Sequence, residues 1–266
     1  MGREDSMWPD GARCAAAFSF DFDAEEVWIA DDPAGAQRPG MASQGSYGAR
    51  RGVGLVLEIL ARRRAPATFF VPGRVAERHA ERVQEIVAAG HELGHHGYTH
   101  TPPTRLSRDE EADELARSKR ILESFGVEVT GYRSPSWEFS AHTLELLQEH
   151  GLCYSSNLMD DIRPYRHENS PIVELPVQWI LDDAAHFWFD VDGWNKKIST
   201  NEEVRSIWEA EFLGIRRLGG CCVFTMHPQI IGRPGRLVLL DEFIGFVQRH
   251  EDVWLATCRE IAGRVT

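Results

Sequence analysis

Positive charge is scarce in this chain. Twenty-nine Lys and Arg face 41 Asp and Glu, a net charge of −12. Nucleic acid and anionic membrane surfaces both require a basic face, so neither is an expected partner. No apolar run reaches the ~20 residues that a membrane span needs. The first twenty residues hold no apolar signal core of adequate length before their charges and proline. Cysteines are few and odd in number (14, 153, 221, 222 and 258), with no C-x-x-C spacing. That excludes a disulfide framework and points to buried thiols in a reducing compartment. There is no internal repeat, low-complexity run or linker. The expectation is a soluble, cytoplasmic protein in which residues 1–266 form a single domain. Its 42% hydrophobic content is enough for a substantial core.

Histidine, in contrast, is concentrated. Gly90 to His100 holds four of the eleven histidines. A neutral imidazole offers a lone pair near neutral pH and is the commonest metal ligand. His91-Glu92-Leu93-Gly94-His95 fits the H-E-x-x-H pattern of zinc metalloproteases, which works only on a helix. Glycines at 90, 94 and 97, each costing about 1 kcal/mol in a helix interior, argue against one here. The other reading pairs His96 with His100 in a loop beyond a strand that ends near His95. Such a pair still needs a carboxylate and an open position to make a catalytic metal site.

The carboxylates come earlier. Cys14 to Phe20 reads as a buried strand, and alternation puts Asp21 and Asp23 on one side at its end. Two acids so placed are costly unless a cation or an arginine sits between them. Residues 24–47 read as a long loop, and a helix is expected from Gly48 to Arg64. Strand 67–71, a helix over 75–89 and a strand in the histidine stretch follow. Ser107-Arg108-Asp109-Glu110 is a capping box that opens a helix ending at Gly126. Strands are expected over 129–132, 152–156 and within 172–180, with a helix over 141–150. Thr200-Asn201-Glu202-Glu203 opens another helix before the apolar strand 221–226. A helix over 236–250, a strand over 253–256 and a helix capped by Thr257 complete the chain.

Strands and helices therefore alternate, with seven or eight strands, the signature of an α/β fold of parallel (β/α)-barrel type. The polar chemistry falls where strands end: Asp21, Asp23, His96, His100, Arg133, Asp160, Asp182 and His227. In barrels of this kind the loops after the strands build the active site.

These residues resemble the polysaccharide deacetylase superfamily over nearly the whole chain. Asp21-Phe22-Asp23, His96-Gly97-Tyr98-Thr99-His100, Arg133-Ser134-Pro135 and Thr225-Met226-His227-Pro228 resemble its motifs, in order. Two details depart from the usual sugar deacetylases: Phe22 separates the aspartates, and Gly97 replaces a small hydroxyl residue. Trp137-Glu138-Phe139-Ser140, Leu158-Met159, Leu181-Asp182-Asp183 and Arg233-Pro234 look like the branch with cyclic-imide hydrolases and cytoplasmic peptidoglycan deacetylase-like proteins.

The resemblance implies a distorted parallel barrel of about seven strands and hydrolysis of a non-peptide carbon–nitrogen bond. It implies a divalent cation, zinc first and Co2+, Ni2+ or Mn2+ as alternatives, on Asp23, His96 and His100. It makes Asp21 the catalytic base, Arg133 its brace and His227 the general acid. A backbone N–H near Pro135 or Tyr98 would serve the oxyanion, and Asp182 or Asp160 would steady His227. Trp28, Trp137, Trp188 and Trp194 are pocket-wall candidates. The expected substrate is an N-acetyl sugar or a small cyclic imide; a non-catalytic binding protein is the remaining alternative. A homo-oligomer, dimer or tetramer, is expected by resemblance alone.

Overall fold

The computed structural model describes residues 7–31, 33–189 and 197–265. Among these residues nine strands form one sheet: β1 (Cys14–Asp21), β2 (Ala67–Val71), β3 (Glu92–His95), β4 (Gly131–Tyr132), β5 (Tyr154–Ser155), β6 (Tyr165–Arg166), β7 (Val173–Glu174), β8 (Cys221–Met226) and β9 (Val253–Leu255). Their order is β6-β7-β5-β4-β3-β2-β1-β8, with β9 also on β1. Every pairing is parallel except β6 with β7. The sheet curls into the distorted barrel type expected, and a single parallel bridge from Asp182 to Thr225 carries the chain past β8. All eight expected strands are present; the antiparallel β6 adds a ninth.

β1 shows how period-two alternation builds the two faces. Cys14, Ala16, Phe18, Phe20 and Phe22 belong to the large core packed beneath the helices. Ala15 and Ala17 belong to a second core, with Phe70, Tyr154, Val173 and Val223. Ser19 and Asp21 continue the second face, because side chains two apart share a side. Small residues low on the strand and polar ones at its end thus bring Asp21 to the mouth of the curled sheet.

Two elements differ from expectation. Residues 24–47 are mostly helical rather than a loop: Glu26–Asp31, a 3-10 turn Pro33–Gln37, and Pro39–Tyr47. Glycine, proline and aspartate in this stretch read as loop signals, but Pro39 sits at a helix N-terminus, where its missing N–H costs nothing. The helix continues through a π turn, Gly48–Gly52, into Val53–Arg63. A Cβ on Gly52 would lie 2.1 Å from the Pro228 carbonyl oxygen, so the residue after His227 packs directly on this turn. The expected helix over 75–89 is divided at His79 into Gly73–Arg78 and Ala80–Ala88. His79 Nε2 lies 2.9 Å from Glu25 Oε2, a tertiary contact that periodicity does not report.

Candidate active site

β3 ends at His95, and the next residues turn away from the sheet. Gly97 has φ of +71° and His100 φ of +60°. The first is easy for glycine; the second is costly for histidine and holds only because its surroundings fix it. The turn brings His96 Nε2 to 3.4 Å and His100 Nε2 to 3.7 Å from Asp23 Oδ1. All three side chains are nearly inaccessible. Asp23 Oδ1 is buried with no hydrogen-bond partner, a costly state that a cation would relieve. His96 Nδ1 lies 2.7 Å from the Arg133 carbonyl oxygen. A proton on Nδ1 leaves the Nε2 lone pair facing Asp23, the outer-shell arrangement usual for a ligating histidine. One carboxylate and two imidazoles suit a divalent ion of zinc type with open positions.

Electrostatics agree with this geometry. Burial pushes the Asp23 carboxyl up, but His100 and His96 outweigh it and hold it at about 2. Burial drives His100 down to about 4, leaving a neutral imidazole. For His96 burial works downward, but Asp21 and Asp23 prevail and raise it. A cation between them would displace that proton.

Asp21 lies beside this group, its Oδ2 3.9 Å from His96 Nε2. Its other oxygen accepts from Arg133 Nη1 at 2.7 Å. Arg133 is fully buried and donates also to Ser19 Oγ, Ser156 Oγ and the Ser156 carbonyl. Its guanidinium lies 4.2 Å from the Phe70 ring centroid. Four hydrogen bonds and a ring fix the fork, so one oxygen of Asp21 is held and the other faces the pocket.

His227 follows the end of β8, with Nε2 3.8 Å from Asp23 Oδ2. Its partner is Asp183, not Asp182 or Asp160. Asp183 Oδ1 lies 2.6 Å from His227 Nδ1, and Oδ2 accepts the His227 backbone N–H. Asp182 stands 3.9 Å from Nδ1, and its Oδ1 caps the helix Asp183–Phe187 by accepting from Ala184 N–H. The acid after the cap is the one that turns inward, a signal the Asp182-Asp183 pair carried. Asp160 is exposed and accepts from Tyr165. Burial works against protonation of His227, but Asp183 and Asp182 raise its pKa well above the ordinary value. Burial lifts Asp182 itself to about 7.

The metalloprotease pattern fails in space. His91 to His95 lies on and before a strand, and Glu92 accepts from Thr68, Tyr154 and the Arg259 N–H. His95 is buried against the Leu115 carbonyl.

A cavity of about 190 Å³ holds Asp21, Asp23, His96, His100 and His227 in its wall, with Trp137, Trp179 and Trp188 around them. Trp179 has no motif signal, and half its surface is exposed. It packs on Trp137 with ring centroids 4.4 Å apart. Trp28 lines the neighbouring cavity instead, stacked on Trp188 at 4.7 Å. Trp194 lies outside the described residues. Ser136 and Trp137 both have positive φ, +62° and +55°, so the Pro135 loop is held in an uncommon conformation at the pocket wall. The Tyr98 N–H donates to Glu114 Oε2 and is not free for an oxyanion. Gln229, also unmarked by any motif, donates to Asp23 Oδ2 at 3.3 Å.

Carboxylates, imidazoles and a buried arginine at the C-terminal ends of parallel strands define a hydrolytic class of site, and known proteins agree. The polysaccharide deacetylase family profile matches residues 47–155. A peptidoglycan deacetylase of Helicobacter pylori is 31% identical over 92% of this chain and 94% of its own. A solved structure from Mycobacterium smegmatis, described as a candidate polysaccharide deacetylase, is 44% identical with TM-score 0.93, covering 97% of this chain and 92% of its own. An allantoinase structure shares the fold at 23% identity and TM-score 0.82, covering 99% of this chain and 94% of its own. The chain belongs to the polysaccharide deacetylase family, hydrolases of non-peptide carbon–nitrogen bonds.

Proposed function

We propose that the protein is a metal-dependent hydrolase that removes an N-acetyl group from an amino sugar. The observation that carries this reading is the convergence of three elements on one cavity: the Asp23–His96–His100 trio, the Arg133-held Asp21 and the Asp183-held His227. A divalent cation held by the trio, zinc by preference, would supply Lewis-acid polarisation of the scissile carbonyl and a more acidic water. The rest belongs to the chain. Asp21 Oδ2 takes the proton of the attacking water while Arg133 keeps the carboxylate oriented. The Ser136 N–H, next to Pro135 at the pocket wall, would donate to the tetrahedral oxygen. His227 gives its Nε2 proton to the leaving nitrogen, and Asp183 holds the ring by Nδ1 and balances its charge.

A second reading is ring-opening of a small cyclic imide by the same groups. The small volume of the tryptophan-walled cavity favours it, since a flat ring fits between aromatic faces. Five free cysteines, four of them buried, support a cytoplasmic setting for either activity. The deciding test offers zinc-loaded protein N-acetylglucosamine oligomers beside succinimide and hydantoin. Acetate release supports the first reading and ring-opening the second. Inactivity on both classes with stoichiometric zinc bound would defeat both.

A further inference from the structure

A second cavity, of about 490 Å³, adjoins the catalytic pocket and shares Trp188 with it. Its wall includes Arg233, Arg236, Trp28, Gln229 and Asn201. Gln229 is the residue that donates to Asp23, so it links the two cavities beside Trp188.

Two arginines share this wall. Acids outnumber bases by twelve, and several described arginines lie against a carboxylate, among them Arg63, Arg74, Arg133 and Arg216. Among the described residues, neither Arg233 nor Arg236 has a carboxylate within ion-pair distance. Each is nevertheless fixed in place. Arg233 Nε donates to the Gln229 carbonyl at 3.3 Å, and its guanidinium lies 3.7 Å from the Tyr47 ring centroid. Arg236 Nη1 donates to the Ile230 carbonyl at 3.3 Å, and its guanidinium lies 4.5 Å from the Phe187 centroid. A guanidinium has five N–H donors, so each keeps most of its fork unused.

The start of one helix sets these two half-buried cations three residues apart, where they repel. Burial lowers the Arg236 pKa, Asp183 opposes this, and Arg233 adds to the lowering. The helix Pro234–Gln248 begins here with Arg233 as its N-cap and no side-chain cap, so its positive end adds to the same field. The helix Asn201–Leu218 also starts at this wall, but its end is already met by the capping box of Thr200 and Glu203. An anion is the ligand that satisfies such a site, and a planar carboxylate matches a guanidinium fork in two parallel hydrogen bonds.

We infer that this cavity is a carboxylate subsite: Arg233 and Arg236 bind an acidic group on a substrate whose amide sits beyond Trp188. The inference rests on the hydrolytic reading and adds a substrate class to it, amides that carry a carboxylate away from the scissile bond. In a chain of net charge −12, an anionic substrate needs such a local attraction to overcome the overall field.

The test is isothermal titration calorimetry of zinc-loaded, full-length protein with succinate and, separately, with inorganic phosphate. The same titrations use Arg233→Gln, Arg236→Gln and the double variant, each shown to be folded by its unfolding temperature. Arg236→Lys keeps the charge but not the fork. Succinate binding is expected to weaken about tenfold or more in each Gln variant, less in Arg236→Lys, and to fall with added salt. Equal succinate affinity in the wild-type protein and the double variant would place the carboxylate elsewhere, the zinc included, and overturn the inference. Absence of succinate binding would overturn it too, as would phosphate binding as tight as succinate and equally dependent on both arginines. Arginine-dependent succinate binding in a protein inactive on every amide would retire the hydrolytic reading and leave the subsite standing.

Discussion

At the scale of single residues, the site depends on which oxygen or nitrogen of each group is already held. Arg133 takes one oxygen of Asp21 and leaves the other to the pocket. Asp183 takes Nδ1 of His227 and leaves Nε2 toward Asp23. Asp183→Asn should therefore lower kcat by about 10²-fold or more, because the amide no longer balances a charged imidazole. Asp160→Asn should leave kcat unchanged, since Asp160 engages Tyr165 at the surface. Steady-state kinetics on both variants separate the two aspartates; equal losses would contradict the assigned pairing. At Asp21, alanine should lower kcat by about 10²–10⁴-fold with zinc content intact, the range for loss of a general base. A change below about fivefold in the zinc-loaded variant would remove Asp21 from that role.

At the scale of elements, loops hold the catalytic geometry and neighbouring elements hold the loops. Asn157 Oδ1 accepts both the N–H and the hydroxyl of Ser134, at 2.7 and 2.9 Å. Glu174 in turn accepts the Asn157 and Leu158 N–H groups, bonds to Ser155 and lies 2.8 Å from His167. This network fixes the base of the Pro135 loop, where Ser136 and Trp137 keep their positive φ. Asn157→Ala leaves a buried N–H without a partner. It should cost about 1–3 kcal/mol in urea-induced unfolding and lower kcat as the Ser136 N–H drifts. On the other side of the site, Gly52→Ala would force the π turn away from Pro228. Overpacking of this kind costs about 1–3 kcal/mol. Here it should also reduce turnover, because the displaced residue adjoins His227; full activity at reduced stability would show that the loop absorbs the shift.

At the scale of the whole molecule, the curled sheet gathers distant segments around one small volume. Asp23, His96 and His100 approach within ligand reach only after β1, β2 and β3 align in register. A cation bound by this trio in the native state alone should stabilise the fold by about 4 kcal/mol when zinc is a thousandfold above its Kd. Differential scanning calorimetry with and without chelator should thus show a lower Tm after zinc removal, restored by zinc. His100→Ala should abolish that response while the apo protein still unfolds cooperatively. Among the described residues no helix is long and apolar enough to cross a membrane.

What the sequence determined by itself was local or periodic. The eight parallel strands, the capping boxes at Ser107, Thr200 and Thr257, and the placement of polar residues at strand ends all follow from alternation, turn residues and cap chemistry within a few positions. The pairing of His96 with His100 and the placement of Asp21 and Asp23 at a strand end were legible for the same reason, whereas Asp23 as the third member of the trio followed from the family resemblance. The tertiary structure decided everything that depends on contacts far apart in the chain. It made helices of residues 26–31 and 39–47, broke one at His79, and set Gln229 and Trp179 beside the site. It also chose Asp183 over Asp182, because the start of a short helix engages the first carboxylate as a cap and turns the second toward His227. Sequence patterns report how a segment meets its own neighbours; which oxygen faces which nitrogen is fixed only when the sheet curls and its loops close over a common space.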